Sequence, residues 1–89
     1  MAKKRRKLNK DFEKKIYSSK KNVELVLAKI YDIDDEDIQK EYMSAFNGVV
    51  YKYDDLKEDY EQQGFNDNSE ELLTNYKDAF NLFESEFEI

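Results

Sequence analysis

The fold is decided by residues 38–60, which read IQKEYMSAFNGVVYKYDDLKEDY. Apolar side chains recur in this stretch at intervals of three and four residues, which is the spacing of one face of an α-helix. The residues on this face are Ile38, Tyr42, Ala45, Val49, Tyr53, Leu56 and Tyr60. Because the spacing stays in phase on both sides of Asn47 and Gly48, the stretch predicts one long amphipathic helix.

The dipeptide Asn47-Gly48 also supports an alternative interpretation of the same stretch. Asn-Gly is the strongest short-range signal for a β-hairpin. Tyr42 and Tyr53 would then lie at the outer ends of a hairpin over residues 42–53, and the fold would be α+β. The helix is favoured because a hairpin gives no reason for helical spacing on both sides of its turn. Within a helix, Gly48 is a weak point that costs about 1 kcal/mol relative to alanine.

Two further segments show helical periodicity. The first runs from Leu8 to Tyr31. Its apolar face consists of Leu8, Phe12, Ile16, Ser19, Val23, Val26 and Ile30. The last segment follows Asn68 or Ser69, either of which suits the N-cap position of a helix. Its apolar face consists of Leu72, Tyr76, Ala79, Phe80, Phe83 and Phe87.

The central helix has recognisable start and stop signals. Asp34 is the predicted N-cap, and Ile33 and Ile38 on either side of it are expected to form a hydrophobic staple. Gly64 is predicted to end the helix, because glycine is common just past a helix C-terminus.

The links between the three segments are short, so consecutive helices should run antiparallel. The sequence therefore predicts an all-α fold, a small up-down-up three-helix bundle. We expect residues 10–89 to form this single helical domain and residues 1–9 to form a flexible basic N-terminal arm.

Charge is distributed unevenly along the chain. The whole sequence has 15 Lys and Arg against 21 Asp and Glu, a net charge of −6. Residues 1–22 carry a net charge of +8, whereas residues 23–89 carry −14. Such asymmetry between the two parts of a chain points to an ionic partner.

The basic N-terminal segment is a candidate for nucleic-acid contact, because lysine and arginine neutralise phosphates and release counterions. The candidate residues are Lys3, Lys4, Arg5, Arg6, Lys7, Lys10, Lys14 and Lys15. No aromatic residue precedes Phe12 to stack on a base, and the acidic remainder of the chain repels a phosphate backbone. We therefore expect weak contact with nucleic acid through residues 3–21. A solubilising tail is the alternative interpretation.

The acidic remainder of the chain suggests the opposite kind of partner. Its densest stretch supplies the candidate partner-binding residues Asp54, Asp55, Glu58, Asp59 and Glu61. Carboxylates three or four residues apart on a helix lie about 5–6 Å from each other, so an acidic helix can imitate the phosphates of DNA. In composition and size the chain is similar to small acidic helical proteins of viruses and mobile elements that block nucleic-acid enzymes, although no motif links it to one family. An ordinary solvated helix face is the alternative.

The composition excludes several kinds of chemistry. The chain has no Cys and no His, which excludes a disulfide, a thiolate nucleophile and zinc sites built from these residues. Residues 32–36 begin like a calcium-binding EF-hand loop, but Asp37 and Met43 occupy the positions that need a glycine and an acid. The two glycines are isolated, so there is no Gly-rich loop to cradle a phosphate. We expect no catalytic residue, no cofactor and no metal site.

These observations lead to one leading functional expectation and two alternatives. The longest apolar run, from Leu25 to Ala28, is too short to span a membrane, so we expect a cytoplasmic protein, or a nuclear one in a nucleated host. The leading expectation is a non-enzymatic protein-interaction module, an inhibitor or adaptor whose acidic helical surface mimics nucleic acid and docks on a basic, nucleic-acid-handling protein. The alternatives are a nucleic-acid-binding accessory protein that acts through its basic segment and a structural helical protein that forms a homodimer.

Overall fold

Three α-helices make up the computed structural model, which describes residues 7–88. The helices are α1, Lys10–Tyr31, α2, Glu36–Gln63, and α3, Ser69–Glu86. Within the described residues there is no strand, and one isolated β-bridge joins Lys7 to Gly64. The predicted all-α, up-down-up three-helix bundle is therefore confirmed. Most of the predicted basic arm, residues 1–6, lies outside the described residues.

The central helix α2 is unbroken across the Asn-Gly dipeptide, residues 47–48. Phe46 and Val49, on either side of this dipeptide, are both buried. The burial of one continuous helical face outweighs the turn propensity of Asn-Gly, since most helical stability in proteins comes from packing of an apolar face. The prediction of one long helix is confirmed, and the alternative α+β fold with a hairpin between Tyr42 and Tyr53 is wrong.

Helix α2 lies at the centre of the bundle, because it packs along both α1 and α3. Phe46 is fully buried, and its ring centroid lies 4.8 Å from that of Phe83 and 6.1 Å from that of Phe80. Tyr53 and Tyr76 meet edge to face with their centroids 6.1 Å apart. Aromatic pairs of this kind contribute about 0.5–1.5 kcal/mol each beyond the area that they bury. Aromatic contacts therefore hold α3 against α2.

The first helix begins two residues later than the sequence predicts. Its N-cap is Asn9, whose Oδ1 accepts a hydrogen bond from the Phe12 N–H at 3.0 Å. Leu8 therefore lies outside the helix, is 68% exposed and does not belong to the apolar face. The physical reason is the cap itself, since an asparagine side chain satisfies an N–H group of the first turn that has no partner within the helix.

Helix α2 is capped by Asp35 and not by Asp34. The Oδ1 atom of Asp35 accepts hydrogen bonds from the N–H groups of Asp37 at 2.9 Å and Ile38 at 3.1 Å. These are the second and third residues after the cap, the two that an N-cap carboxylate reaches. The predicted staple between Ile33 and Ile38 is also wrong, because this register places Ile38 at the third helical position, where it is 44% exposed.

The loop between α2 and α3 is held together by Asn66. Gly64, with a φ of 72°, ends α2 as predicted. The side-chain Nδ2 of Asn66 donates to Asp59 Oδ2 at 2.8 Å and to the Gly64 carbonyl at 2.9 Å, and its backbone N–H donates to Ser69 Oγ at 2.9 Å. Asn68 occupies the N-cap position of α3, but its side chain makes no capping hydrogen bond.

The buried face of α2 is broader than the predicted stripe, because helices pack against it from two sides. Phe46 lies at its centre although it falls outside that stripe, whereas Ala45, which belongs to the stripe, is exposed. On α3, Leu73 is buried beside the half-buried Leu72 that the sequence identified. Packing against a second helix buries residues that lie outside the single apolar stripe predicted from the sequence.

The two glycines give a direct test of α2. Gly48→Ala is expected to raise the free energy of unfolding by about 1 kcal/mol, because a Cβ at this position meets no atom within 4 Å. Gly64→Ala is expected to lower it by about 1–3 kcal/mol, since its positive φ with extended ψ is a region that only glycine adopts readily. Urea denaturation measures both values. A destabilising Gly48→Ala would contradict the unbroken helix.

Candidate functional site

The second half of α2 presents acidic side chains to solvent. Four of the five predicted partner-binding residues are exposed, and they are called the α2 acidic surface below: Asp54, Asp55, Glu58 and Glu61. Each lies three or four residues from another member, so their carboxylates are neighbours on the helix. The helix alone brings this part of the predicted site together.

Asp59, the fifth predicted residue, has a different environment. It is half-buried, and its Oδ2 accepts the hydrogen bond from Asn66 described above. A substitution of Asp59 therefore alters the α2–α3 loop as well as the charge. For this reason Asp59 is not counted in the α2 acidic surface.

Tyr51 is the most exposed large apolar residue among residues 7–88, with an exposed fraction of 71%. It precedes Asp55 by four residues and Glu58 by seven, so the three side chains share one side of α2. Tyrosine is enriched among the residues that dominate binding energy in protein interfaces. In the sequence, the exposure of Tyr51 is indicated by its position outside the predicted apolar face of α2.

The start of α1 packs against the end of α2. The Lys7 carbonyl accepts a hydrogen bond from the Phe65 N–H at 2.6 Å. The Phe12 ring centroid lies 5.7 Å from that of Tyr60 and 5.1 Å from that of Phe65. The Asn9 N–H donates to the Tyr60 hydroxyl at 3.0 Å. Lys7 and the start of α1 therefore lie at the same end of the bundle as the α2 acidic surface, as the antiparallel arrangement of α1 and α2 requires.

The predicted nucleic-acid-contact residues fall into two groups. Lys3, Lys4, Arg5 and Arg6 lie outside the described residues. Lys7, Lys10, Lys14 and Lys15 are all exposed. Of these, Lys14 and Lys15 line a groove between α1 and α3.

This groove, called the α1–α3 groove below, runs between two helices that point in the same direction on α2. It is open to solvent and has a volume of about 490 Å³. At its floor, the buried Tyr76 hydroxyl donates to the Ser19 carbonyl at 3.2 Å, and the Ser19 hydroxyl donates to the Lys15 carbonyl at 2.8 Å. Ser19 is thus buried on the inner face of α1, as its place in the predicted stripe indicates.

Two tyrosines in the core have altered acid–base behaviour. Burial raises the pKa of Tyr76 to about 12. Burial also raises the pKa of Tyr53, and the negative charges of Asp54, Glu24 and Glu61 act in the same direction. Both tyrosines therefore keep their protons at neutral pH; Tyr76 donates a hydrogen bond to the Ser19 carbonyl, and Tyr53 packs against the Tyr76 ring.

Comparisons of the chain with protein-family models, with curated proteins and with solved structures find no match. In the described part of the chain, no group of three acidic side chains is placed to hold a metal ion. None of the helices in residues 7–88 combines the length and apolarity of a membrane span.

Tyr76 leads to a prediction about alkaline pH. Its pKa is raised from 10.0 to about 12 in the folded state, so the unfolded chain releases this proton first. The contribution of Tyr76 to stability should be complete well below pH 10, and the free energy of unfolding should fall by about 2 kcal/mol between pH 10 and 12. Urea denaturation over this pH range measures the fall.

Tyr76→Phe is the control for this prediction. The variant should lose about 1 kcal/mol at pH 7, because the hydrogen bond to the Ser19 carbonyl is absent. Its stability should then depend less on pH above 10 than that of the unmodified chain. An equal pH dependence in both proteins would contradict the burial of the Tyr76 hydroxyl.

Proposed function

We propose that the chain is a non-enzymatic protein-interaction module that binds a basic, nucleic-acid-handling protein through the α2 acidic surface. The observation that carries this proposal is the placement of Tyr51 beside the exposed carboxylates of Asp55 and Glu58 on one side of α2. An apolar anchor surrounded by polar groups is the usual anatomy of a protein interface.

The charge of the folded body supports a basic partner. Residues 7–88 contain 11 lysines and 21 acidic residues, a net charge of −10. Such a field attracts a basic protein and raises the rate of encounter. A partner that normally binds phosphates is the fitting class, because carboxylates about 5–6 Å apart on successive turns present it with closely spaced anions. By occupying the nucleic-acid site of this partner, the chain would act as an inhibitor or an adaptor.

The position of these carboxylates supports binding over catalysis. Asp54, Asp55 and Glu58 project from the outside of a helix. Acid–base catalysis by a carboxylate depends on a pocket that shifts its pKa, and the outside of a helix provides no such enclosure. Exposed charges also contribute little to folding stability, so their removal tests binding with little effect on the fold.

The triple variant Asp54→Asn, Asp55→Asn, Glu58→Gln tests the proposal. Its free energy of unfolding should change by less than about 0.5 kcal/mol. The tagged full chain should capture a basic nucleic-acid-handling protein from a host lysate, and the triple variant should not. With the purified partner, the association rate should fall at least about tenfold, because electrostatic steering is lost.

A second triple variant controls for net charge. Glu24→Gln, Glu41→Gln and Asp78→Asn remove the same charge from exposed positions on three different helices. This control should retain the partner, and Tyr51→Ala should release it faster. Equal capture by all variants, or equal loss in both triple variants, would contradict a role for the α2 acidic surface.

A second candidate function is nucleic-acid binding through the basic segment. The observation in its favour is the anchoring of Lys7, whose carbonyl accepts a hydrogen bond from the Phe65 N–H at the end of α2. Lys10, Lys14 and Lys15 then follow along α1 and are all exposed. A fixed row of lysines can bind a phosphate backbone without reading its sequence.

The four basic residues before Lys7 provide the test of this second function. Replacing Lys3, Lys4, Arg5 and Arg6 by Gln leaves the backbone bond at Lys7 intact. Affinity for a single strand should fall, and the slope of log K against log salt should flatten by up to about 3. Lys40→Gln, Lys52→Gln and Lys57→Gln on α2 should have a smaller effect. No detectable binding by the unmodified chain at about 50 mM salt excludes this function.

A further inference from the structure

The α1–α3 groove differs in charge from the rest of the described body. Lys14 and Lys15 on α1 and Lys77 on α3 line it, against one carboxylate, Glu84. All three lysines are exposed. Because residues 7–88 together have a net charge of −10, this local excess of positive charge is distinctive. The groove favours an anionic ligand.

The floor of the groove offers aromatic surface to a ligand. The hydroxyls of Tyr76 and Ser19 are already engaged in hydrogen bonds to backbone carbonyls. Phe80 is half-buried, and its ring is supported by Phe46 at 6.1 Å and by Tyr76 at 5.9 Å between centroids. Its remaining surface lines the groove. The floor of the groove can therefore pack against a planar, apolar group of a ligand.

The groove is also polarised along its length. Since α1 and α3 run in the same direction, position along the groove follows position in the sequence. Lys14 and Lys15 lie toward one end, and Glu84 lies toward the other. Asn22 and Asn81 line the walls between these ends, and each amide has both donor and acceptor groups. An anion is expected at the lysine end, with uncharged polar groups beyond it.

We propose that the α1–α3 groove binds a nucleoside phosphate, with its phosphate near Lys14, Lys15 and Lys77 and its base on Phe80 between Asn22 and Asn81. Lysine binds phosphate as a point charge, aromatic side chains stack on bases, and amides match the hydrogen-bonding edge of a base. The volume of about 490 Å³ is adequate for such a molecule. The ligand is a free nucleotide or one nucleotide of a single strand, since both present these groups.

The test is a titration of the ¹⁵N-labelled full chain at low salt, followed by NMR. The probes are AMP, adenosine, inorganic phosphate and a short single-stranded oligoadenylate. AMP should shift the amide resonances of Ser18, Asn22, Lys77 and Asn81. It should bind at least about tenfold more tightly than adenosine or phosphate alone, because it uses both the floor and the lysines. Comparison of AMP with the oligonucleotide identifies which of the two sources binds.

Lys77→Gln should weaken AMP binding about tenfold. The matched control Lys57→Gln, at an exposed position on α2, should bind AMP normally. The proposal is overturned if neither AMP nor the oligonucleotide binds, if phosphate binds as tightly as AMP, if the shifts map outside the groove, or if Lys77→Gln has no effect.

This proposal uses no residue of the α2 acidic surface. The triple variant Asp54→Asn, Asp55→Asn, Glu58→Gln should therefore bind AMP like the unmodified chain. Failure of nucleotide binding and failure of partner capture are thus separate results.

Discussion

Burial of Phe46 and Val49 on one face of α2 keeps this helix continuous through Gly48, and the places of the other two helices follow from it. The face is broad enough to serve two neighbours. Aromatic rings of α3 pack along one side of it, and α1 packs along the other. Because both neighbours depend on α2, a break at its midpoint would remove the common support of the bundle.

The same arrangement explains the two surfaces. The outside of α2 makes no contribution to the core, so it can present Tyr51 beside closely spaced carboxylates. The α1–α3 groove, in contrast, is formed by the packing of helices in the core. Helices α1 and α3 both pack on α2, meet at the hydrogen bond from Tyr76 to Ser19, and leave an open, lysine-lined groove above it. One surface is acidic and convex, and the other is basic and concave.

Antiparallel packing of α1 and α2 also brings Lys7 and the start of α1 to the end of the bundle that carries the α2 acidic surface. The bond from the Phe65 N–H to the Lys7 carbonyl and the contact between Phe12 and Tyr60 bring the start of α1 to the end of α2. Charges of opposite sign that are far apart in sequence thus share one end of the bundle. Interactions between exposed charges at that end weaken with added salt, since the Debye length is about 8 Å at physiological ionic strength.

Periodicity was sufficient to predict the three helices, their order and much of the core, because these depend on spacing along the chain. It missed Phe46, since a single apolar stripe assumes one neighbouring helix and α2 has two. The sequence also does not distinguish Asp34 from Asp35 as the N-cap of α2. The two carboxylates are adjacent, and only the backbone register determines that Asp35 is the cap.

The sites were less predictable than the fold. A run of carboxylates looks uniform in sequence, yet Asp59 is bonded to Asn66 while its neighbours are exposed. The α1–α3 groove had no sequence signal, because Lys15 and Lys77 come together only when both helices pack on α2.

The unbroken course of α2 through Gly48 can be checked by measuring a single distance along the helix. The chain has no Cys, so cysteines introduced at Lys40 and Lys57 are the only sites for a pair of spin labels. A continuous helix, rising 1.5 Å per residue, separates these two Cα atoms by about 26 Å. A hairpin that turned at Asn47-Gly48 would bring them within about 10 Å, given the spacing of paired strands. Pulsed electron-spin resonance should give a distribution centred near the longer distance, and one centred near the shorter distance would rule out a continuous α2.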